Sequence, residues 1–187
     1  MPQPSKEGNP MRQAGLLILL WLSFLLPAHA ATPQEGEAAP TLLGKDRDGK
    51  IVDLAAYRGK VVIVTFWASW CGYCLKELPV LDALQKQVGD TWLQTIAVNV
   101  EDPPETYRLM MRQMRDYSLL QARDRNGDIA KTYSVTSYPN LWIIDTQGKV
   151  ASHHVGYGPG SLQSIIDEIK RLLTEEMHRQ QQATTTS

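Results

Sequence analysis

Residues 61–79 read VVIVTFWASWCGYCLKELP. The first seven, Val61 to Trp67, form a continuous apolar, largely β-branched run bounded by Gly59-Lys60. That composition belongs to a strand buried on both faces. Beyond it, Leu75, Leu78, Leu81, Leu84 and Val88 recur at helical spacing up to Gly89, which predicts a helix with one apolar face and a glycine stop. Pro79 falls inside this helix, where its missing N–H and its ring predict a kink. Between strand and helix stand Cys71 and Cys74, the two cysteines of the chain.

The placement of that pair has a physical logic. At a helix N-terminus the free N–H groups and the positive end of the dipole favour an anion, so the Cys71 thiol is expected to ionise below its ordinary range. Thiolate is the attacking form in thiol–disulfide exchange. Cys74, one turn inside, is placed to attack the resulting mixed disulfide. Cys71 is therefore the expected nucleophile and Cys74 the resolving thiol. Three other uses of the pair compete. A structural disulfide would close so short a loop that it removes little unfolded-state entropy. A zinc site would need two further ligands, for which His153, His154 and His178 are the histidines outside the N-terminal apolar segment. Copper(I) would suit two thiolates with Met110, Met111 or Met114 nearby, although methionines at helical spacing beside Tyr107 also serve as core filler.

Working outward, KDRDGK (45–50) carries an Asp-Gly turn followed by Ile51-Val52-Asp53-Leu54, which predicts a small hairpin. Trp92 to Val100 reads as a second strand. Asp102-Pro103-Pro104 is expected to cap a helix holding Tyr107, Met110, Met111 and Met114. Ser118 to Ala122 is a short strand, followed by an Asn126-Gly127 turn and a short helix from Asp128 to Tyr133. Leu141–Ile144 and Val150–Val155 form a hairpin around Thr146-Gln147-Gly148. Ser161 is expected to cap a last helix with Leu162, Ile165, Ile166, Ile169, Leu172 and Leu173 on one face. Strands alternating with helices, then a terminal hairpin and helix, define an α/β chain with a mixed sheet. One domain is expected over 40–175, preceded by a polar tether at 31–39 and followed by a frayed tail at 176–187.

The 187 residues are 43% hydrophobic and 21% charged, an ordinary globular composition. Nineteen basic against twenty acidic side chains leave a formal charge of −1, with no basic surplus to hold a nucleic acid. Leu16 to Leu26 reads LLILLWLSFLL. Such a run falls short of the roughly 20 apolar residues that span a bilayer. It has the form of a signal-peptide core, with Arg12 before it and Pro27 and Ala28-His29-Ala30 after it. Residues 1–30 are thus expected to be a cleaved signal, with Met11 as an alternative start, or else to remain as an anchor. Either outcome carries the folded part out of the cytoplasm, and the expected location is the periplasm.

Taken together, FWASWCGYCLKELP (66–79) resembles the active-site segment of the thioredoxin superfamily, closest to the exported TlpA/ResA-like branch. That branch shares a Glu three residues after the second cysteine and then a Pro. Gly44–Gly59 is similar to its N-terminal hairpin and loop, Glu101–Asp116 to its extra central helix, and YSVTSYPNLWIIDTQGKV (133–150) to its cis-proline segment and closing hairpin. The resemblance covers residues 38–173. It implies a thioredoxin-like fold, with Cys71 and Cys74 as the redox pair and Pro139 as the cis-proline facing them. It further implies substrate contacts at Trp70, Gly72, Tyr73 and Tyr138, the last through a backbone that pairs with an extended substrate strand. Trp67 and Trp70 match aromatics that flank the site.

Two departures stand out. Thr65 occupies the position of a buried Asp that in cytoplasmic thioredoxins assists the resolving cysteine, and a threonine hydroxyl has no pKa suited to a base. Glu77 is similar to the carboxylate that the ResA-like branch uses there, and is expected either to take over this role or to be a solvated helix residue. Gly72-Tyr73 replaces the Gly-Pro of thioredoxins and leaves the redox poise open. The resemblance implies a protein-disulfide reductase without cofactor or metal, and monomeric by default. Its substrates would be exported proteins with a disulfide, such as apocytochromes or metal-site precursors, and its electron donor a membrane-embedded thiol carrier. Isomerase or oxidase activity and a copper(I)-binding carrier are the alternatives. The acidic loops at 46–49 and 124–128 lack calcium-loop spacing and are expected to be hairpin or turn chemistry. GYGPG (156–160) lacks the lysine of a phosphate loop.

Overall fold

A computed structural model describes residues 32–185 of the chain. The expected signal segment at 1–30 and the alternative start at Met11 lie outside the described residues. Seven strands form one sheet: β1 (Leu42–Lys45), β2 (Ile51–Asp53), β3 (Val61–Trp67), β4 (Leu93–Val100), β5 (Leu120–Asp124), β6 (Asn140–Ile144) and β7 (Val150–Val155). Its order is β2-β1-β5-β4-β3-β6-β7. The helices are α1 (Gly72–Val88), α2 (Pro104–Gln113), α3 (Asp128–Thr132) and α4 (Pro159–Thr185). All seven residues of β3 are buried, because it pairs in parallel with β4 on one side and antiparallel with β6 on the other. The continuous apolar run is thus read correctly as a central strand, and the sheet is mixed as expected, since β4 and β5 are also parallel.

The two-residue period of β3 distributes its side chains to two cores. Val61, Ile63 and Trp67 face Leu78 and Leu81 of α1, Tyr107 and Met111 of α2, and Ile165, Ile169 and Leu172 of α4. Val62, Val64 and Phe66 face the other way, toward Leu43, Val52, Leu54, Tyr133 and Trp142. Tyr133 packs between Phe66 and Trp142 at centroid distances of 5.1 and 5.4 Å, and its hydroxyl donates to the Pro40 carbonyl at 2.6 Å. Met111 and Met114 are buried in the first core with Met110 packed against it, which is the filler role.

Where the structure departs from expectation, tertiary contacts are the reason. Asp102 does not cap α2. The cap position falls to Pro103 without a side-chain bond, because the Asp102 carboxylate is turned inward. α4 begins at Pro159, ahead of Ser161, whose hydroxyl bonds back to both the N–H and the C=O of Gly158 at 2.8 Å. The helix also runs on through the stretch expected to fray. Arg171 is paired with Glu168 and Glu175, and Glu176 and Arg179 both reach the Thr146 hydroxyl. Pro79 lies on the exposed side of α1, which continues across it to Val88. The second half of the stretch expected as a tether is docked, from Gly36 onward. Gly36 N–H donates to Val150 C=O at 2.8 Å, Val150 N–H donates to Glu37 C=O at 2.9 Å, and Ala38 bridges Lys149. These bonds cover the start of the edge strand β7, whose free backbone groups would otherwise stay open.

Gly44 in β1 has φ 98°, and a Cβ there would stand 2.4 Å from the Arg123 carbonyl oxygen of the neighbouring strand. Backbone cannot yield as a side-chain tip can. Gly44→Ala is expected to cost more than about 1 kcal/mol, read as a lowered urea midpoint. An unchanged midpoint would mean that β1 shifts freely.

Candidate active site

The handover from β3 to α1 places Cys71 at the N-cap of the helix, with φ −87° and ψ 99°. Its sulfur accepts the Cys74 N–H at 3.1 Å and is joined to the Cys74 sulfur in a disulfide. No acidic residue lies in the first turn of α1. The positive end of the helix therefore meets this sulfur with no carboxylate in the first turn to oppose it. Cys71 retains 6% exposure and Cys74 none, so attack from outside falls on the first sulfur.

An exposed rim surrounds that covered disulfide. Trp70 is 73% and Tyr73 61% exposed, and the Lys76 ammonium stands 5.4 Å from the Tyr73 ring centre. Gly72 has open space where a side chain would be. Trp70 meets Tyr138 edge-on at 5.6 Å. The Tyr138–Pro139 bond is cis, which agrees with the family expectation. Tyr138 is half-buried, and its hydroxyl is held above the ordinary range by burial and by the nearby carboxylates of Glu101, Asp124 and Asp102. Among the described residues, neither its N–H nor its C=O enters a backbone hydrogen bond, so both are free to pair with an added strand.

Glu77, one turn past Cys74, is not a solvated residue. It is 1% exposed, and the Thr65 hydroxyl donates to its Oε2 at 2.8 Å. Oε1 is buried without a partner. Burial raises the Glu77 carboxyl to about 7, against the opposing pull of the Thr65 bond. Thr65 thus supplies no base of its own; its hydroxyl holds the buried Glu77 carboxyl. That pairing was not drawn from the sequence, although a signal for it exists. Thr65 shares the inward parity of Ile63 and Trp67, and Glu77 follows Cys74 on the buried side of α1.

A second group went unnoticed in the sequence. Asp102, buried at the end of β4, accepts the Ser69 N–H at 2.9 Å, the Ser69 hydroxyl at 3.0 Å and the Asn99 amide at 2.7 Å. It pins the loop two residues ahead of Cys71. Its own carbonyl accepts from Arg123 at 2.7 Å. Asp102→Ala leaves buried donors unmatched and is expected to cost about 1–3 kcal/mol. Asp102→Asn, which keeps one acceptor, should cost less. Chemical denaturation of both variants checks this order, and equal losses would exclude the hydrogen bonds as the cause.

The other candidate ligands are held elsewhere. His153 stacks on Trp142 at 3.9 Å and contacts Asn140 Oδ1, while His154 contacts the Ser152 hydroxyl. In the loop at 46–49, Asp46 Oδ1 accepts the N–H groups of Asp48 and Lys50, which is turn chemistry. Among the described residues no group of three or more His, Cys, Asp or Glu is placed to hold a metal ion.

With this geometry in view, residues 36–153 match the AhpC/TSA family. The chain is 32% identical over 115 residues to the Thiol-disulfide oxidoreductase ResA of Bacillus thuringiensis subsp. konkukian, covering 62% of this chain and 66% of that protein, just under two thirds. It is 34% identical over 125 residues to the Thioredoxin-like protein YneN of Bacillus subtilis, covering 66% and 72%. Among solved structures, a putative thiol:disulfide interchange protein DsbE from Chlorobium tepidum superposes with a TM-score of 0.71 at 29% identity, covering 76% of this chain and 99% of that one. The fold is thioredoxin-like.

Proposed function

The chain belongs to the AhpC/TSA family, and from that premise we propose that it is a thiol–disulfide oxidoreductase that reduces disulfides in exported proteins. The observation that carries this reading is the buried Glu77 carboxyl, raised to about 7 and bonded to Thr65 one turn behind the resolving cysteine. In the reduced protein, the Cys71 thiolate attacks one sulfur of a substrate disulfide. The substrate S–S bond breaks, and the leaving sulfur departs as a thiolate that takes a proton from solvent. The Cys74 thiol then gives its proton to Glu77 and attacks the Cys71 sulfur. This releases the second substrate sulfur and forms the Cys71–Cys74 disulfide. Two electrons have passed to the substrate.

Trp70, Tyr73 and Tyr138 provide the apolar rim on which a substrate segment rests, and the open Tyr138 backbone aligns it as a strand. With no further cysteine in the chain, the dithiol is regenerated by another protein, a membrane-embedded thiol carrier facing the periplasm. Apocytochromes and metal-site precursors, whose cysteines must be reduced before they bind their groups, fit as substrates. The N-terminal apolar run, with the form of an export signal, supports delivery to the side of the membrane where such disulfides form.

Equilibration against glutathione or dithiothreitol buffers tests the direction of electron flow. A potential near about −270 mV is expected for a reductase, whereas one near about −120 mV would make the protein an oxidant instead. Stoichiometric copper(I), retained against a strong chelator and lost in Cys71→Ser, would replace the reading with that of a carrier.

A further inference from the structure

On the first-core side of the sheet, a cavity of about 370 Å³ opens between α2 and the turn that joins β1 to β2. Arg47, Glu105, Tyr107, Arg108, Met111 and Arg112 line it, and none of them belongs to the redox site. Its volume lies at the lower end of the range for small-molecule sites, about 300–1,000 Å³. The helix builds it by spacing alone. Tyr107 and Met111, four residues apart, lay a buried apolar floor. Arg108 and Arg112, in the same register one position on, raise a cationic wall beside it, and Arg47 closes the cavity from the hairpin turn.

The charges around this cavity are not balanced from within. Glu105 pairs with Arg108. Among the described residues, Arg47 and Arg112 make no ion pair, and Arg108 and Arg112 are like charges at the spacing that destabilises a helix. Beneath them, the Tyr107 hydroxyl is buried without a hydrogen-bond partner. Arg123 lies 4.9 Å from the Tyr107 ring centre, and its Nε is also buried and unpartnered. An incoming oxyanion would supply what is missing at the rim, since it matches the planar forks of Arg47 and Arg112.

We propose that this cavity is a binding site for a small organic anion, a carboxylate or phosphate carried on a flat apolar body, with Tyr107 and Met111 as the apolar floor and Arg47 and Arg112 as the anion clamp. The apolar body covers the floor while the acid group faces the arginines. Neither part suffices alone, because inorganic phosphate leaves the floor bare and a neutral ring leaves the cations unpaired.

Titration with benzoate, phenyl phosphate, inorganic phosphate and benzyl alcohol tests the site, followed by NMR at the Met111 methyl and the arginine Nε–H resonances of the intact protein. Benzoate and phenyl phosphate are expected to saturate in the millimolar range, with benzyl alcohol and inorganic phosphate weaker by about tenfold or more. The tighter of the two organic anions identifies the acid group. Arg112→Gln and Arg47→Gln, both exposed changes that leave the fold alone, should each weaken binding about tenfold. The proposal is overturned if neither organic anion saturates, if benzyl alcohol binds as well as benzoate, or if both glutamine variants bind unchanged.

Discussion

Cys74→Ser is expected to abolish turnover while leaving the first attack intact. Cys71 keeps its place at the N-cap of α1 in this variant, and with it the local field that favours its thiolate. It opens a substrate disulfide and forms a mixed disulfide, but a serine hydroxyl is not ionised near neutral pH and cannot release it. One substrate molecule per chain is therefore captured and held. Non-reducing mass spectrometry should find the covalent adduct with Cys74→Ser and no adduct with Cys71→Ser. Loss of turnover is complete in both. Turnover surviving in either variant would remove the dithiol from the mechanism.

Glu77→Gln is expected to change activity and stability in opposite directions. The resolving step needs the carboxylate to receive the Cys74 proton, so its rate should rise as pH passes about 7. Glutamine removes that inflection and lowers the rate above it by on the order of 10²-fold, within the span attributed to a positioned base. Stability follows from linkage. Unfolded, Glu77 releases its proton near 4.5; folded, it keeps it to about 7. Between those limits the native state binds more protons than the unfolded state, so stability falls as pH rises and levels off above about 7. The difference amounts to about 3 kcal/mol lost at alkaline pH. Glutamine is neutral throughout, so the variant should be more stable than the parent at pH about 8 by up to about 3 kcal/mol and comparable below pH about 4. Thr65→Val removes the bond that favours the carboxylate and should move the kinetic inflection upward. A purely structural Glu77 would leave the pH profile of resolution where it is.

Val61–Trp67 was bounded to the residue from its apolar run, because a strand enclosed by two neighbours and two helical layers has no polar face to blur its limits. Cys71 and Cys74 were placed by the strand-to-helix boundary, and Pro139 by resemblance. Ser161 and Asp102 misled for a shared reason. Each carries an oxygen suited to capping, and nothing local says that Gly158 or Ser69 will claim it first. The tail after 175 looked frayed because its own residues are polar. It is helical because Glu176 and Arg179 meet Thr146, which lies about thirty positions earlier in the chain.

Read alone, the amino-acid order settles the succession of strands and helices, the single mixed sheet and the cysteine pair at a helix start, though not the helix ends, since these depend on periodicity and on neighbours a few positions apart. The protonation of Glu77 and the pinning of the loop by Asp102 were decided by the packed structure. So was the gathering of Arg47 with Arg108 and Arg112 over Tyr107. Each of these depends on which distant groups exclude water from one another, and desolvation is a property of the assembled interior that no short stretch of chain carries.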